Sequence, residues 1–268
     1  MVEVVVIGNI AFDINTYKLD NNKTIINNGG AAYYSAIPAS LYTKVGIVSR
    51  VGNDFDTKIL TKNRNLDLLG LKILNNYKTT KFYHIYITKD GKERLFREDV
   101  VPQTITRKED IPKKYLNAKY IHVAANFPSL QKQFLEYIRE NSNSIISIDT
   151  HEAYINKESK LIKKNFDMAD IAFIDEQYKF LYNCNAKVKI IKKGKNGCEY
   201  ISKDKAFKID TEKKVEYVKD KTGAGDVLAG VFLANLSLGF DDEYSLGEGV
   251  KLATKSIINY GVDHLIGE

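Results

Sequence analysis

The chain has 268 residues, enough for one large α/β domain or one domain with a small appendage. Hydrophobic content of 44% and charged content of 28% are ordinary for a soluble globular protein, and the +6 net charge comes from scattered residues, which argues against a nucleic-acid patch. Two cysteines, Cys184 and Cys198, lack Cys-x-x-Cys spacing and His partners, which argues against a zinc site and for a reducing, cytoplasmic compartment; no stretch approaches transmembrane length, so no membrane partner is expected.

Val2 to Ile7 reads as a strand buried on both faces, and the acid at Glu3 argues against a signal peptide. Ligands of open α/β sheets bind beyond the carboxyl ends of the strands, and Asp13 lies just there, where a carboxylate accepts two hydroxyls at once. Thr16 to Ile26 reads as a hairpin turning at Asp20-Asn21-Asn22-Lys23. Gly29-Gly30 follows and opens a helical pattern at Ala31, a pair that permits close backbone approach to a ligand. Lys81 to Arg97 reads as a second hairpin, turning at Lys89-Asp90-Gly91-Lys92, with Phe82, His84, Tyr86 and Thr88 alternating against Tyr83, Ile85 and Ile87.

From Tyr120 strands and helices alternate: strand to Ala124, helix Leu130 to Glu140, strand Ile145 to Asp149, helix Lys157 to Phe166, strand Ile171 to Ile174, strand Val188 to Lys192. This alternation implies a parallel sheet with right-handed crossovers. Asn126 and Asp149 fall at strand ends, as secondary cleft groups or as structural hydrogen-bonding residues. His84, His122, His151 and His264 have no ligand spacing and read as structural or surface residues. The loop Lys192 to Gly197 offers lysines to a phosphate but lacks Walker A spacing. Thr222-Gly223-Ala224-Gly225-Asp226 makes a tight turn into an apolar segment that runs to Gly239. A helix apolar all round is buried, and its bare first-turn amides form an anion site beside Asp226. Ser245 to Tyr260 is a last helical pattern, leading to Gly261.

Thr222 to Asp226 with its apolar helix resembles the C-terminal signature of the ribokinase/PfkB family of carbohydrate kinases, and Gly29-Gly30 with Val45 to Asp54 resembles the N-terminal one. The resemblance implies an α/β fold: a ribokinase-like, three-layer, doubly wound, mainly parallel sheet with a small β-sheet lid. It implies one domain over residues 1–268, with lid strands inserted at about 14–27 and 81–98. The implied activity is ATP- and Mg²⁺-dependent phosphorylation of a hydroxyl on a small sugar or polyol. Alternatives are a nucleoside kinase of the same family and a catalytically silent sugar or nucleotide sensor. By the same resemblance Asp226 is the base, and Gly223, Ala224 and Gly225 form the anion hole. Asp13, Gly29, Gly30, Tyr34 and Asn126 hold substrate; Lys192, Gly194, Gly197, Thr222 and Asn259 hold nucleotide; the lid doubles as a homodimer interface. Three departures stand out. Tyr34 replaces an Asn that contacts the sugar, Lys192 replaces a Thr, and Asp175-Glu176-Gln177-Tyr178 replaces Asn-x-x-Glu, leaving Glu176 or Asp175 to serve the metal, or the metal to rely on water and phosphate oxygens.

Overall fold

The computed structural model describes residues 1–87, 94–211, 215 and 218–266. The chain opens with β1 (Val4–Ile7), a hairpin of β2 (Ala11–Tyr17) and β3 (Lys23–Gly29), helix α1 (Ala31–Ala39), β4 (Val45–Gly52), a single-turn helix α2 (Lys58–Lys62) and β5 (Leu66–Leu74). A second antiparallel pair, β6 (Lys81–Tyr86) and β7 (Arg94–Asp99), comes next. Its expected turn at 89–92 lies outside the described residues. Then follow β8 (Tyr120–Val123), α3 (Pro128–Asn141), β9 (Ile145–Ile148), α4 (Glu152–Asp167), β10 (Ile171–Asp175), β11 (Val188–Lys192), β12 (Cys198–Ser202), β13 (Ala206–Ile209), α5 (Ala224–Ser237) and α6 (Asp242–Ser256).

The large sheet runs β13-β12-β11-β10-β9-β8-β1-β4-β5. It is parallel from β11 to β5 and antiparallel at β11-β12 and β12-β13. Strand alternation divides its interior. Val4 and Val6 face a cluster built on α1, α5 and α6, while Val5 and Ile7 face one built on α3 and α4. Both faces are covered, as a parallel sheet requires.

Every residue of α5 from Val227 to Asn235 is buried. Of these, Val227, Leu228, Val231, Phe232 and Leu233 each contribute about 1.5–3 kcal/mol when removed from water. Gly230 sits so close to the Ser35 carbonyl of α1 that a Cβ has no room, and this tight crossing fixes where α5 begins. The last helix starts at Asp242 rather than Ser245 because Asp241 caps it, accepting the Tyr244 N–H at 2.8 Å, and it ends at Ser256 rather than Tyr260. The chain then turns back, and the Ile257 carbonyl accepts the Lys219 N–H at 2.9 Å. Helix α4 bends at Glu158, whose φ of −132° is non-helical, so the helix expected from Lys157 is its second part, and a shorter first part is capped by His151, which accepts the Ala153 N–H.

The smaller sheet has the order β3-β2-β6-β7, with β2 and β6 parallel at its centre. Its register places Asp13, Asn27, Phe82 and Glu98 in one row, and Asn15, Ile25, His84 and Phe96 in the next row on the same face. The opposite face carries Ile14, Ile26, Tyr83 and Arg97, then Thr16, Thr24, Ile85 and Leu95. Within that outer face Ile26 is 65% exposed and Leu95 59%.

Candidate active site

The carboxyl ends of the parallel strands form the floor of the site. Asn9 follows β1, Asn126 follows β8, Asp149 follows β9, and Asp175 and Lys192 end β10 and β11 side by side in register. Helix α5 enters this floor through Gly223, whose φ of 78° and ψ of −2° are left-handed. That conformation suits glycine, and the Tyr34 ring lies against Gly223 where a Cβ would stand. The Ala224 N–H turns back to the Lys221 carbonyl over a long 3.3 Å, and Val227 N makes the first helical bond, to Gly223 O at 2.9 Å. Between them lie the amides of Gly225 and Asp226, in the first turn of a buried helix. Residues 223–226 are half-buried, so the turn keeps access to solvent.

Burial drives the Asp226 carboxyl well above its ordinary range; Asp149 and Asp13 push the same way, and Lys192 opposes them. Lys192 Nζ lies 2.5 Å from Asp149 Oδ2. A Cβ built on Gly225 would stand 3.1 Å from the same nitrogen, so the ammonium lies directly under the amide turn. Burial works against the Lys192 charge, but the Asp149 carboxylate, with Asp226 and Asp175 beyond it, outweighs burial and keeps the amine protonated. Gln131 fixes the neighbouring strand ends, donating to the carbonyls of Ala124 (3.0 Å) and Asp149 (2.7 Å). His122, packed beneath, is pushed down to about 3 by burial and then by Lys192, so it is neutral.

Asp13 is 1% exposed. Its Oδ2 accepts the Tyr34 hydroxyl at 2.7 Å, and His84 Nε2 lies 3.9 Å away. Gly29, its cross-strand neighbour but two, leaves no room between backbone and the Asp13 carboxylate. The inner face of the small sheet brings Phe96 to 5.3 Å from the His84 ring and 4.6 Å from the His151 ring. Tyr154 and Phe127, 5.3 Å apart, extend this aromatic wall on the large-sheet side. The small sheet is also tied to the turn before α5: Asn15 Nδ2 donates to Asp220 Oδ2 at 2.8 Å, and the Tyr86 and Thr222 hydroxyls are 2.5 Å apart. Asp220 itself accepts the Thr222 N–H at 2.9 Å, and burial raises its pKa.

The fold therefore gathers Asp226, Gly223, Ala224, Gly225, Asp13, Gly29, Tyr34 and Lys192 around one cleft. Tyr34 is not a free pocket wall: it is buried, bridging Asp13 and the amide turn. Gly30 takes a φ of 87° against the Asn9 carbonyl. Asn126 pairs with Asn9 at 3.4 Å and caps the Phe127 N–H at 2.8 Å. Gly194 has open space around it, whereas Gly197 is locked against the Ile209 carbonyl, a packing reason for that glycine. Asn259 turns its Oδ1 to the Tyr260 N–H at 2.9 Å, a local cap. Of the two acids offered to the metal, Asp175 is the one near Lys192 and Asp149. Glu176 is exposed and neighbours Lys193 and Tyr182, because the residue after the strand end turns outward.

Sequence reasoning passed over His84, Asn15, Tyr86 and Asp220, and left Asp149 without its partner. The period-2 pattern of the two hairpins holds a usable signal: it puts Asp13 and Asn15 on one face. The register between β2 and β6, which adds His84, is a tertiary fact. Among the described residues no group of three or more His, Cys, Asp or Glu could hold a metal ion, so these side chains form no cage for Mg²⁺. They suit an ion that keeps its waters and takes phosphate ligands.

A sequence profile described as pfkB family carbohydrate kinase matches residues 1–266. A cytidine kinase of Thermococcus kodakarensis is 28% identical over 278 residues, covering 97% of this chain and 98% of that protein. The nucleoside kinase of Methanocaldococcus jannaschii, described as an archaeal member of the ribokinase family, superposes with a TM-score of 0.76 at 20% identity, covering 98% of this chain and 94% of its own. An E. coli chain solved in complex with ATP and Mg²⁺ gives a TM-score of 0.77 at 20% identity, covering 98% and 95%.

Proposed function

The chain belongs to the pfkB family of carbohydrate kinases, and from that premise we propose that it transfers the terminal phosphoryl group of ATP to a ribose hydroxyl of a nucleoside. The observation that carries the choice of nucleoside is the wall of Phe82, His84, Phe96, His151 and Tyr154 standing beside the buried Asp13. A free sugar offers little to stacked rings, whereas a base presents a flat π-face. A carboxylate next to that wall accepts vicinal hydroxyls. The cytidine kinase and nucleoside kinase named above support the same reading. A sugar or polyol remains the second reading, favoured by the depth at which Asp13 is buried.

In this scheme Asp13, with the Gly29-Gly30 turn, holds the ribose, and Tyr34 orients the Asp13 carboxylate. Asn126 and Asn9 lie at the mouth of β8 and β1, in reach of further hydroxyls. Asp226 takes the proton of the attacking hydroxyl, and burial, which raises its pKa, makes its ionised form the stronger proton acceptor. The amides of Gly225 and Asp226 face the charge on the transferring phosphoryl, with Gly223 and Ala224 shaping the turn that presents them. The open Gly194 turn and Thr222 lie on the nucleotide side, with Gly197 shaping the turn and Asn259 the adjacent loop. Mg²⁺ bound to the nucleotide's phosphates would neutralise their charge, with Asp175 the nearer of the two strand-end acids. The apolar outer row of the small sheet, with Ile26 and Leu95, is the face for a second copy of the chain. The buried, unbridged Cys184 and Cys198 fit a cytoplasmic setting, and among the described residues no helix is long and apolar enough to cross a membrane.

The test is ADP release with ATP and Mg²⁺ over a panel of cytidine, uridine, inosine, adenosine, ribose, fructose and inositol. Preference for a nucleoside supports the proposal. Preference for a free sugar replaces it with the second reading, and ligand-induced thermal shifts with no transfer would leave a silent sensor.

A further inference from the structure

Lys192, expected from the sequence to hold nucleotide, is placed more specifically by the structure. Lys192 ends β11, yet its side chain crosses the end of β10 to reach Asp149, beyond β9. Its Nζ thereby comes to lie under Gly225, between Asp149 and the base Asp226. A lysine that served only to neutralise Asp149 could do so from anywhere in reach; this one is held where the transferring phosphoryl must pass.

We propose that Lys192 is a catalytic residue whose ammonium binds the transferring phosphoryl group directly, with Asp149 as the positioning residue that holds it there. The proposal rests on the kinase reading above. An ammonium has three donors. One stays on Asp149, and the others reach a phosphoryl oxygen held by the first-turn amides of Gly225 and Asp226, on the side away from the Asp226 carboxylate. The step balances without any proton from Lys192. The substrate hydroxyl oxygen forms a bond to the γ-phosphorus and its proton passes to Asp226. The bond from the γ-phosphorus to the β–γ bridging oxygen breaks, and that electron pair leaves on ADP. Charge grows on the equatorial and bridging oxygens, and Lys192 meets it with a fixed positive charge. This chain has Tyr178 where many relatives by resemblance place a metal-organising Glu, and its described residues build no metal cage. Lys192 adds a fixed side-chain cation at the amide turn, beside any charge the nucleotide's phosphates bring.

The test uses Lys192→Met, Lys192→Arg, Asp149→Asn and the double variant Lys192→Met/Asp149→Asn. The double variant removes both members of the Lys192–Asp149 pair, so neither is left without the other. Wild-type transfer and its loss in Asp226→Asn are measured alongside. Loss of one charge-stabilising group predicts a fall in kcat of about 100- to 1,000-fold in Lys192→Met and in the double variant, with the nucleoside KM little changed. Lys192→Arg keeps part of the rate. The pH profile adds a readout that a structural role would not give. The groups facing Asp226 are Asp149 after β9, Asp13 on β2 and Lys192 on β11. Removing Lys192 moves the acid limb of kcat to higher pH, and Asp149→Asn moves it lower. A double variant with near-wild-type kcat, or limbs that stay put, overturns the proposal while leaving the kinase reading intact. A wild type that transfers nothing on the whole panel overturns the reading itself.

Discussion

Replacing Asp226 with Asn tests the proposed base and the electrostatics around it together. Asn keeps the shape and removes the proton acceptor. A general base is worth about 100- to 10,000-fold in rate, so kcat should fall by that factor while ATP affinity holds. Stability should move the other way. The folded carboxyl is raised by burial first, then by Asp149 and Asp13. A raised acid favours the fold only while protonated, and that stability is lost as pH climbs from about 4 through the raised value. For every tenfold weakening of the acid, ionised Asp226 costs the fold about 1.4 kcal/mol at higher pH. Asn carries no such cost. At about 2–4 °C per kcal/mol for a chain of this size, Asp226→Asn should melt above wild type at pH 7, with the gap shrinking toward pH 4. The assays are ADP release, ATP titration and thermal melts across that pH range. Near-wild-type turnover, or a melting point below wild type at pH 7, would refute the reasoning.

Three further outcomes follow from named contacts. Tyr34→Phe strips the buried Asp13 of a donor at 2.7 Å, so stability should drop by about 1–3 kcal/mol and the substrate KM should rise; denaturant melts and kinetics measure both. Gly223→Ala forces a left-handed residue, costing about 1–2 kcal/mol before its contact with the Tyr34 ring is counted, and should lower kcat more than it raises the ATP KM. Ile26→Lys with Leu95→Lys places charge on the exposed outer row; light scattering should find a dimer in wild type and a monomer in the variant, with an unchanged mass refuting the interface.

The sequence made the scaffold plain because its signals are local. Val2 to Ile7 announces a strand buried on both faces, and Thr222 to Gly239 announces a buried helix with a bare start, since periodicity and turn chemistry act over a few residues. The two hairpins were legible for the same reason. What escaped depends on packing. Lys192 meets Asp149 across 43 residues and an intervening strand, and Asn15 meets Asp220 across 205. Tyr34 reaches Asp13 only because α1 leaves the Gly29-Gly30 turn at one angle. Asp175 and Glu176 are adjacent in sequence, and only the end point of β10 decides which one faces the cleft.

The bonds from Asn15 and Tyr86 to the turn before α5 make the two sheets mechanically interdependent. Removing either bond would leave the buried Asp220 without its Asn15 donor or the Thr222 hydroxyl without its Tyr86 partner. The placement of the small sheet and the shape of the segment leading into the amide turn are therefore set together.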